Sequence, residues 1–175
     1  MARLLSSLCG AVLLAFLATA CARPASPLVM AAYIRPPIEP PAAYRNAIMV
    51  AAVSGGLDTD PLSISEVDNR RLAAALELSL WDARLGAVEG GRFRLEAYLK
   101  KLDQPVTPSP RVVTATVMYQ LSEVPSGDLY YQRTLVTSGS SWSVEKANEE
   151  ALKANIAQLI FDLDALPDRP LSIQP

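Results

Sequence analysis

The sequence predicts an α+β fold: a two-layer sandwich in the order β-α-β-β-β-α, with a four-stranded, largely antiparallel sheet carrying two helices on one face. Three observations predict it. Residues 47–53 form a continuous apolar run of strand length. Residues 92–99 and 112–121 alternate with the period of two that puts successive side chains on opposite faces of a sheet. Two longer stretches, one beginning near Glu66 and one after Ser143, repeat apolar residues at helical spacing.

The first strand ends where Ser54-Gly55-Gly56 interrupts the apolar run. Polar residues 57–61 then make a turn, and Ser63-Ile64-Ser65-Glu66 has the capping-box spacing that satisfies free amides at a helix start. The first long helix is expected from Glu66 to Leu85. Leu72, Leu76 and Leu80 share one face and Leu78, Trp81 and Leu85 the adjoining one, so the polar strip of Glu66, Arg70, Glu77 and Arg84 is narrow. A face that wide needs a sheet to cover it.

In the second strand Phe93, Leu95, Ala97 and Leu99 point one way and Arg92, Arg94, Glu96, Tyr98 and Lys100 the other, which describes a half-exposed strand with a solvated charged face. A loop at 105–110 leads to the third strand, with Val113, Ala115, Val117, Tyr119 and Leu121 inward. Pro125-Ser126-Gly127-Asp128 reverses the chain, and residues 129–137 complete a hairpin before Ser138-Gly139-Ser140-Ser141 breaks the pattern. Ser143 is the expected cap of a last helix that buries Leu152, Ile156, Leu159, Leu163 and Leu166 and stops at Pro167. Glu149 and Lys153 read as a solvated pair one turn apart, and Asp162, Asp164 and Asp168 as solvent-facing carboxylates around the helix end.

Outside the domain at 46–167, the chain divides into a signal segment at 1–20, a proline-rich tether at 21–45 and a loose tail at 168–175. Arg3 supplies a positive charge, residues 4–17 are almost entirely apolar, and Ala18-Thr19-Ala20 closes the segment with small residues, the layout of a secretory signal. Leu17-Ala18-Thr19-Ala20-Cys21 resembles the bacterial lipobox, with Ala18 where leucine is usual. The resemblance implies a lipidated Cys21, membrane attachment without a spanning helix, and, with Ala22 next in line, the outer membrane facing the periplasm. The same small-residue triplet also fits ordinary signal-peptidase cleavage. Six of the fourteen prolines lie between Ala22 and Ala43, and neither helical nor strand periodicity appears there, so a stiff spacer is expected.

Composition narrows the chemistry. The 175 residues are 50% hydrophobic and 19% charged, with formal net charge −2 and dispersed basic residues, which leaves no footprint for nucleic acid. There is no histidine and there are two cysteines, so histidine bases, most zinc sites and disulfide frameworks are excluded. No catalytic residue, cofactor or metal site is expected, and the chain is read as no enzyme. Ser143 and Lys146 have the spacing of an S-x-x-K nucleophile pair, but the serine is better explained as a cap. Ser54-Gly55-Gly56 and Glu89-Gly90-Gly91 read as loop punctuation, and Asp58-Thr59-Asp60 as a turn before a calcium site. Tyr98, Tyr119, Tyr130, Tyr131 and Trp142 could line an aromatic binding surface, although strand propensity accounts for most of them.

Four stretches, 52–62, 74–80, 113–121 and 147–156, together resemble a group of poorly characterised proteobacterial lipoproteins, over about residues 47–166. The element order is also similar to the lipopolysaccharide-assembly lipoprotein LptE and to auxiliary lipoproteins of lipid-transporting ABC systems such as PqiC. That resemblance implies a non-catalytic accessory or assembly partner in envelope biogenesis or lipid transport, working with an outer-membrane barrel or a transporter component. The alternative is a periplasmic module that binds a lipid or glycan between helices and sheet, and a third reading, ranked below it, is an envelope enzyme.

Overall fold

The computed structural model describes residues 25–35, 37–56, 67–104 and 110–171. It contains a short helix α1 (Pro27–Met30), strand β1 (Ile48–Ser54), helix α2 (Asn69–Asp82), strands β2 (Phe93–Asp103), β3 (Arg111–Glu123) and β4 (Leu129–Ser141), and helix α3 (Val144–Asp164). The sheet order is β1-β2-β3-β4. β1 pairs parallel to β2, and the two remaining pairings are antiparallel. The fold is the α+β arrangement that the periodicities predict, with α2 and α3 packed side by side on one face.

Burial follows the alternation. Phe93, Leu95, Ala97 and Leu99 of β2 and Val113, Ala115, Val117, Tyr119 and Leu121 of β3 are all buried, while Arg94, Glu96, Tyr98 and Lys100 are exposed. β2 runs four residues further than the alternation suggests, because the register shifts between Leu99 and Lys101. The extra residue of such a bulge lets Lys100 and Lys101 both face solvent, which strict alternation forbids. Facing this layer are Leu72, Leu76 and Leu80 of α2 and Leu152, Ile156, Leu159 and Leu163 of α3, all essentially inaccessible. The Tyr119 hydroxyl is buried there without a partner among the described residues, and burial pushes its pKa up.

Several expectations are corrected. α2 starts at Asn69 under Asp68, whose side chain accepts from the Arg70 amide, and the Ser63 capping box lies outside the described residues. The helix ends at Asp82, and Arg84, at φ 58°, turns the chain so that the Leu85 amide donates back to Leu80. β4 does not stop at Thr137: it continues to Ser141, and Gly139 is a strand residue paired with Val113. The tail expected to be loose has its Leu171 amide on the Leu129 carbonyl at 2.7 Å.

The largest correction concerns the chain before β1. From Ala25 onward, the segment expected to be a tether forms a strap over the helix layer, running from the end where α2 and α3 begin to the end where they finish. Ala25, Met30, Ala31, Ala32 and Tyr44 are buried. The Ser26 amide donates to Glu149 Oε1 at 2.8 Å, and the Ala32 amide to Ser79 Oγ at 2.9 Å, while that hydroxyl donates to Ala75 O. Arg35 forks onto Asp82 at 2.8 and 3.1 Å. Near the far end the Asn46 amide donates to Arg84 O and the Tyr44 hydroxyl to Pro167 O. Glu149 is therefore no solvated decoration: at 6% exposure it accepts from the strap. Its acceptor role needs no helical partner at Lys153.

Candidate interaction surfaces

The sheet leaves one face uncovered. Its outer side carries Arg94, Glu96 and Tyr98 from β2, Thr114, Thr116, Met118 and Gln120 from β3, and Gln132, Thr134, Val136 and Ser138 from β4. The charged residues are in part paired with one another, as with Arg94 and Glu96 at 3.8 Å, or with the adjacent turn, as with Arg92 and Glu123 at 2.7 Å. Arg92 also lies over the Phe93 ring, 4.7 Å from its centroid. A hollow of about 260 Å³ opens on this face beside Ser54, Glu96, Tyr98, Met118 and Gln120.

The second surface is the edge of the sheet at β1. That strand is almost wholly apolar and has a sheet neighbour on one side, with a single bridge from Ile48 to Gly86 on the other among the described residues. Unpaired apolar edges are ordinarily blunted by charge or proline, and this one has neither. Beside it Met49, Trp81 and Val88 are exposed, the last two at 63% and 77%, around a hollow of about 420 Å³ that also meets Glu77. The adjoining apolar face expected for the first helix is thus only half covered. Leu85 is buried, but Leu78 and Trp81 are exposed, and Trp81 lines the hollow at the sheet edge.

The aromatic surface suggested by the sequence is not assembled, because alternation and the helix layer divide its members. Tyr98 alone lies on the outer sheet face, Tyr119, Tyr130 and Tyr131 are buried, and Trp142 stands at the start of α3 with 79% exposure. Ser143 accepts from the Lys146 amide at 3.3 Å and caps α3, the role the spacing suggested for it. In the turn after β1, Gly56 donates to Asn69 Oδ1 at 2.8 Å, and a side chain on Gly55 would strike the Leu99 carbonyl. These glycines close a turn onto α2 and β2. Cys21, Asp58 and Asp60 lie outside the described residues. Among the described residues no group of three or more cysteine and acidic side chains could hold a metal ion, and no helix is long and apolar enough to cross a membrane.

Asp162, expected to face solvent, instead joins α3 to β4. It accepts from the Tyr131 hydroxyl at 2.6 Å, Arg133 at 2.9 Å and Gln158 at 2.9 Å, with its side chain 12% exposed. Burial pushes its pKa up, but the hydrogen bonds from Tyr131, Gln158 and Arg133 outweigh burial and hold the carboxyl below the usual aspartate range. A folded-state pKa below the unfolded one, about 3.9, gives stability that is present above that value and lost as pH falls through the folded pKa. Asp162→Asn should therefore cost roughly 1 to 3 kcal/mol near neutrality. In urea titrations across pH, the gap between variant and parent should close below about pH 4; a gap independent of pH would show that the charge contributes nothing.

No family model matches the chain, and no curated protein is similar to it in sequence. Among solved structures, protein XCC0632 from Xanthomonas campestris, of family DUF330, has a TM-score of 0.53 at 15% identity, over 70% of this chain and 88% of that one. The PelC dodecamer from Paraburkholderia phytofirmans gives 0.53 at 15% identity, over 73% of this chain and 94% of that one. Lipoprotein GNA1162 from Neisseria meningitidis gives 0.36 at 14% identity, over 66% and 98%, a likeness too loose to carry an argument. The first two share the fold, and at that identity the likeness extends to nothing beyond the fold.

Proposed function

We propose that the chain is a lipid-anchored, non-catalytic protein of the outer membrane, facing the periplasm, that acts as an accessory or assembly partner in envelope biogenesis or lipid transport. The observation that carries this reading is the N-terminal layout: a charged start, an apolar run and a small-residue close directly before Cys21. The lipobox resemblance supplies the anchor, and the resemblance to LptE and PqiC supplies the accessory role. The apolar edge at β1, with Met49, Trp81 and Val88 exposed around it, supports a protein partner, since contiguous exposed apolar surface on a folded domain marks interaction sites. The alternative of a ligand carried between helices and sheet finds less support, because the side chains facing each other there are packed to near-zero exposure.

Cys21→Ser should leave the domain folded and move the protein from the carbonate-washed membrane fraction to the soluble fraction of the periplasm. Retention in washed membranes would count against lipid anchoring. For the partner, a photo-crosslinking residue at Met49 should give one discrete adduct in living cells, identified as a barrel or transporter component, with none from the same residue at Gln132 on the outer sheet face. Equal adducts from both positions would remove the β1 edge as the docking surface.

A further inference from the structure

The anchor and the strap together fix how the domain sits on its membrane, an inference that rests on the lipid-anchor reading of Cys21. The strap is clamped at its first described residues. Ala25 is buried, its carbonyl accepts from Arg71 at 3.2 Å, and the next amide is held by Glu149 at 2.8 Å. Cys21 lies four residues before Ala25 in sequence. Whatever conformation the intervening chain takes, four residues reach at most about 14 Å. A domain of this size has a radius of gyration of about 15 Å, so such a leash is shorter than the domain is wide. The domain cannot roll over freely on a leash that short, and the end nearest Ala25 must face the bilayer.

Topology identifies that end. β1, β2 and β4 run in one direction, and α2 and α3 follow β1 and β4, so both helices begin at the same end of the sheet. Arg71, which holds Ala25, is in the first turn of α2, and Glu149, which holds Ser26, is less than two turns into α3. Trp142 directly precedes the α3 cap, roughly 10 Å along the helix axis from Glu149. It is the most exposed of the large apolar side chains among the described residues, and an indole is suited to the headgroup zone, where its ring is half apolar and its N–H stays wet. Leu28, 65% exposed, stands on α1 three residues beyond Ala25. The fixed charges at this end are mixed: Arg70, Lys101, Arg111 and Lys146 are set among Asp68, Asp103, Glu145 and Glu150, with Lys101 paired to Asp103 at 2.7 Å. The short leash and the indole decide the orientation, not electrostatic attraction.

We propose that the end of the domain bearing Trp142 and the starts of α2 and α3 lies against the lipid headgroups of the leaflet that carries the anchor, with the β1 edge at Met49 and Trp81 directed away from the membrane. The strap makes this orientation a property of the fold.

The chain has two tryptophans, and they stand at opposite ends. Trp81 is in the last turn of α2, about 18 Å along the axis from its first residue. Each can be removed to leave the other as reporter. Full-length lipoprotein carrying Trp81→Phe or Trp142→Phe is purified from membranes and reconstituted into phosphatidylethanolamine and phosphatidylglycerol vesicles containing a headgroup spin-labelled lipid. Flotation with the vesicles is scored first. Trp142 fluorescence should be quenched at least threefold more than that of Trp81. Inserting twenty Gly and Ser residues between Pro24 and Ala25 should preserve flotation and abolish the difference. Protein that does not float overturns both the anchor and the orientation. Protein that floats with equal quenching of the two tryptophans overturns the orientation and leaves the anchor standing. Unequal quenching that survives the long insertion overturns the role of the leash.

Discussion

Gly139→Val should abolish the folded domain, and Gly139→Ala should cost about 3 kcal/mol or more, among the largest effects available to a single small substitution. Gly139 sits two residues before the last residue of β4, paired with Val113, where a glycine has no conformational role. Its function is spatial. A methyl group there would meet the Ala147 carbonyl oxygen at 2.3 Å, the Ala151 amide nitrogen at 2.4 Å and the Glu150 Cβ at 2.7 Å. Two of these are backbone atoms of a helix, so no rotamer change can make room, and the first turns of α3 must lift from the sheet. Lifting them would strain the contact of Asn155 with Leu135 O and Thr137 Oγ1, and that of Thr137 with Ala151 O, which bind α3 to β4. Urea unfolding of the Cys21→Ser chain measures the cost. Ser138→Ala, at an exposed neighbour on the outer face, is the control and should shift stability by less than about 0.5 kcal/mol. Equal effects at the two positions would mean that close helix approach is not what the glycine provides.

Gly139 also shows where sequence reading stops. Alternation made the sheet legible: in β2 and β3 every residue expected inward is inward, because a period of two is a local property of the chain. Ser143 and Pro167 bracket α3 for the same local reason. The end of β4 was not legible, because a glycine among serines has the composition of a turn, and what makes it a strand residue is a helix that follows it in sequence but lies over it in space. Glu149 and Asp162 were misread by the same logic. A charged residue on a helix is ordinarily solvated, and the donors that bury these two come from Ser26, 123 residues away, and from Tyr131 and Arg133, about thirty away. Long-range partners leave no pattern in the residues beside them. Cys21 was legible as a motif, whereas the nearness of the domain to it was not, since that depends on the strap.

The strap gives the second large effect. Six prolines and the lack of any period describe a spacer, yet the structure makes Tyr44 one of the largest fully buried side chains in the protein. Its ring lies 5.0 Å from Phe93 and 6.5 Å from Tyr130, and Phe93 and Tyr130 are 5.0 Å apart, a closed aromatic triad at the end of the sheet opposite Trp142. Its hydroxyl donates to Pro167 O at 2.7 Å, so one side chain ties the strap to the chain leaving α3. Burial, with Asp168 nearby, pushes that hydroxyl up to about 12, so it remains a donor across the physiological range. Tyr44→Ala should cost about 3 to 5 kcal/mol, since it deletes an aromatic ring from a packed cluster, whereas Tyr44→Phe should cost about 1, the worth of one hydrogen bond. The tether expectation predicts no effect from either. Thermal unfolding separates the two accounts, and limited trypsin digestion adds a local readout: in Tyr44→Ala, cleavage after Arg45 should accelerate well before the rest of the domain is cut. A variant as stable as the parent, with Arg45 cut no faster, would show that the Tyr44 ring is not what holds residues 37–46 to the domain, and would leave the clamp at Ala25 and Ser26 as the strap's attachment.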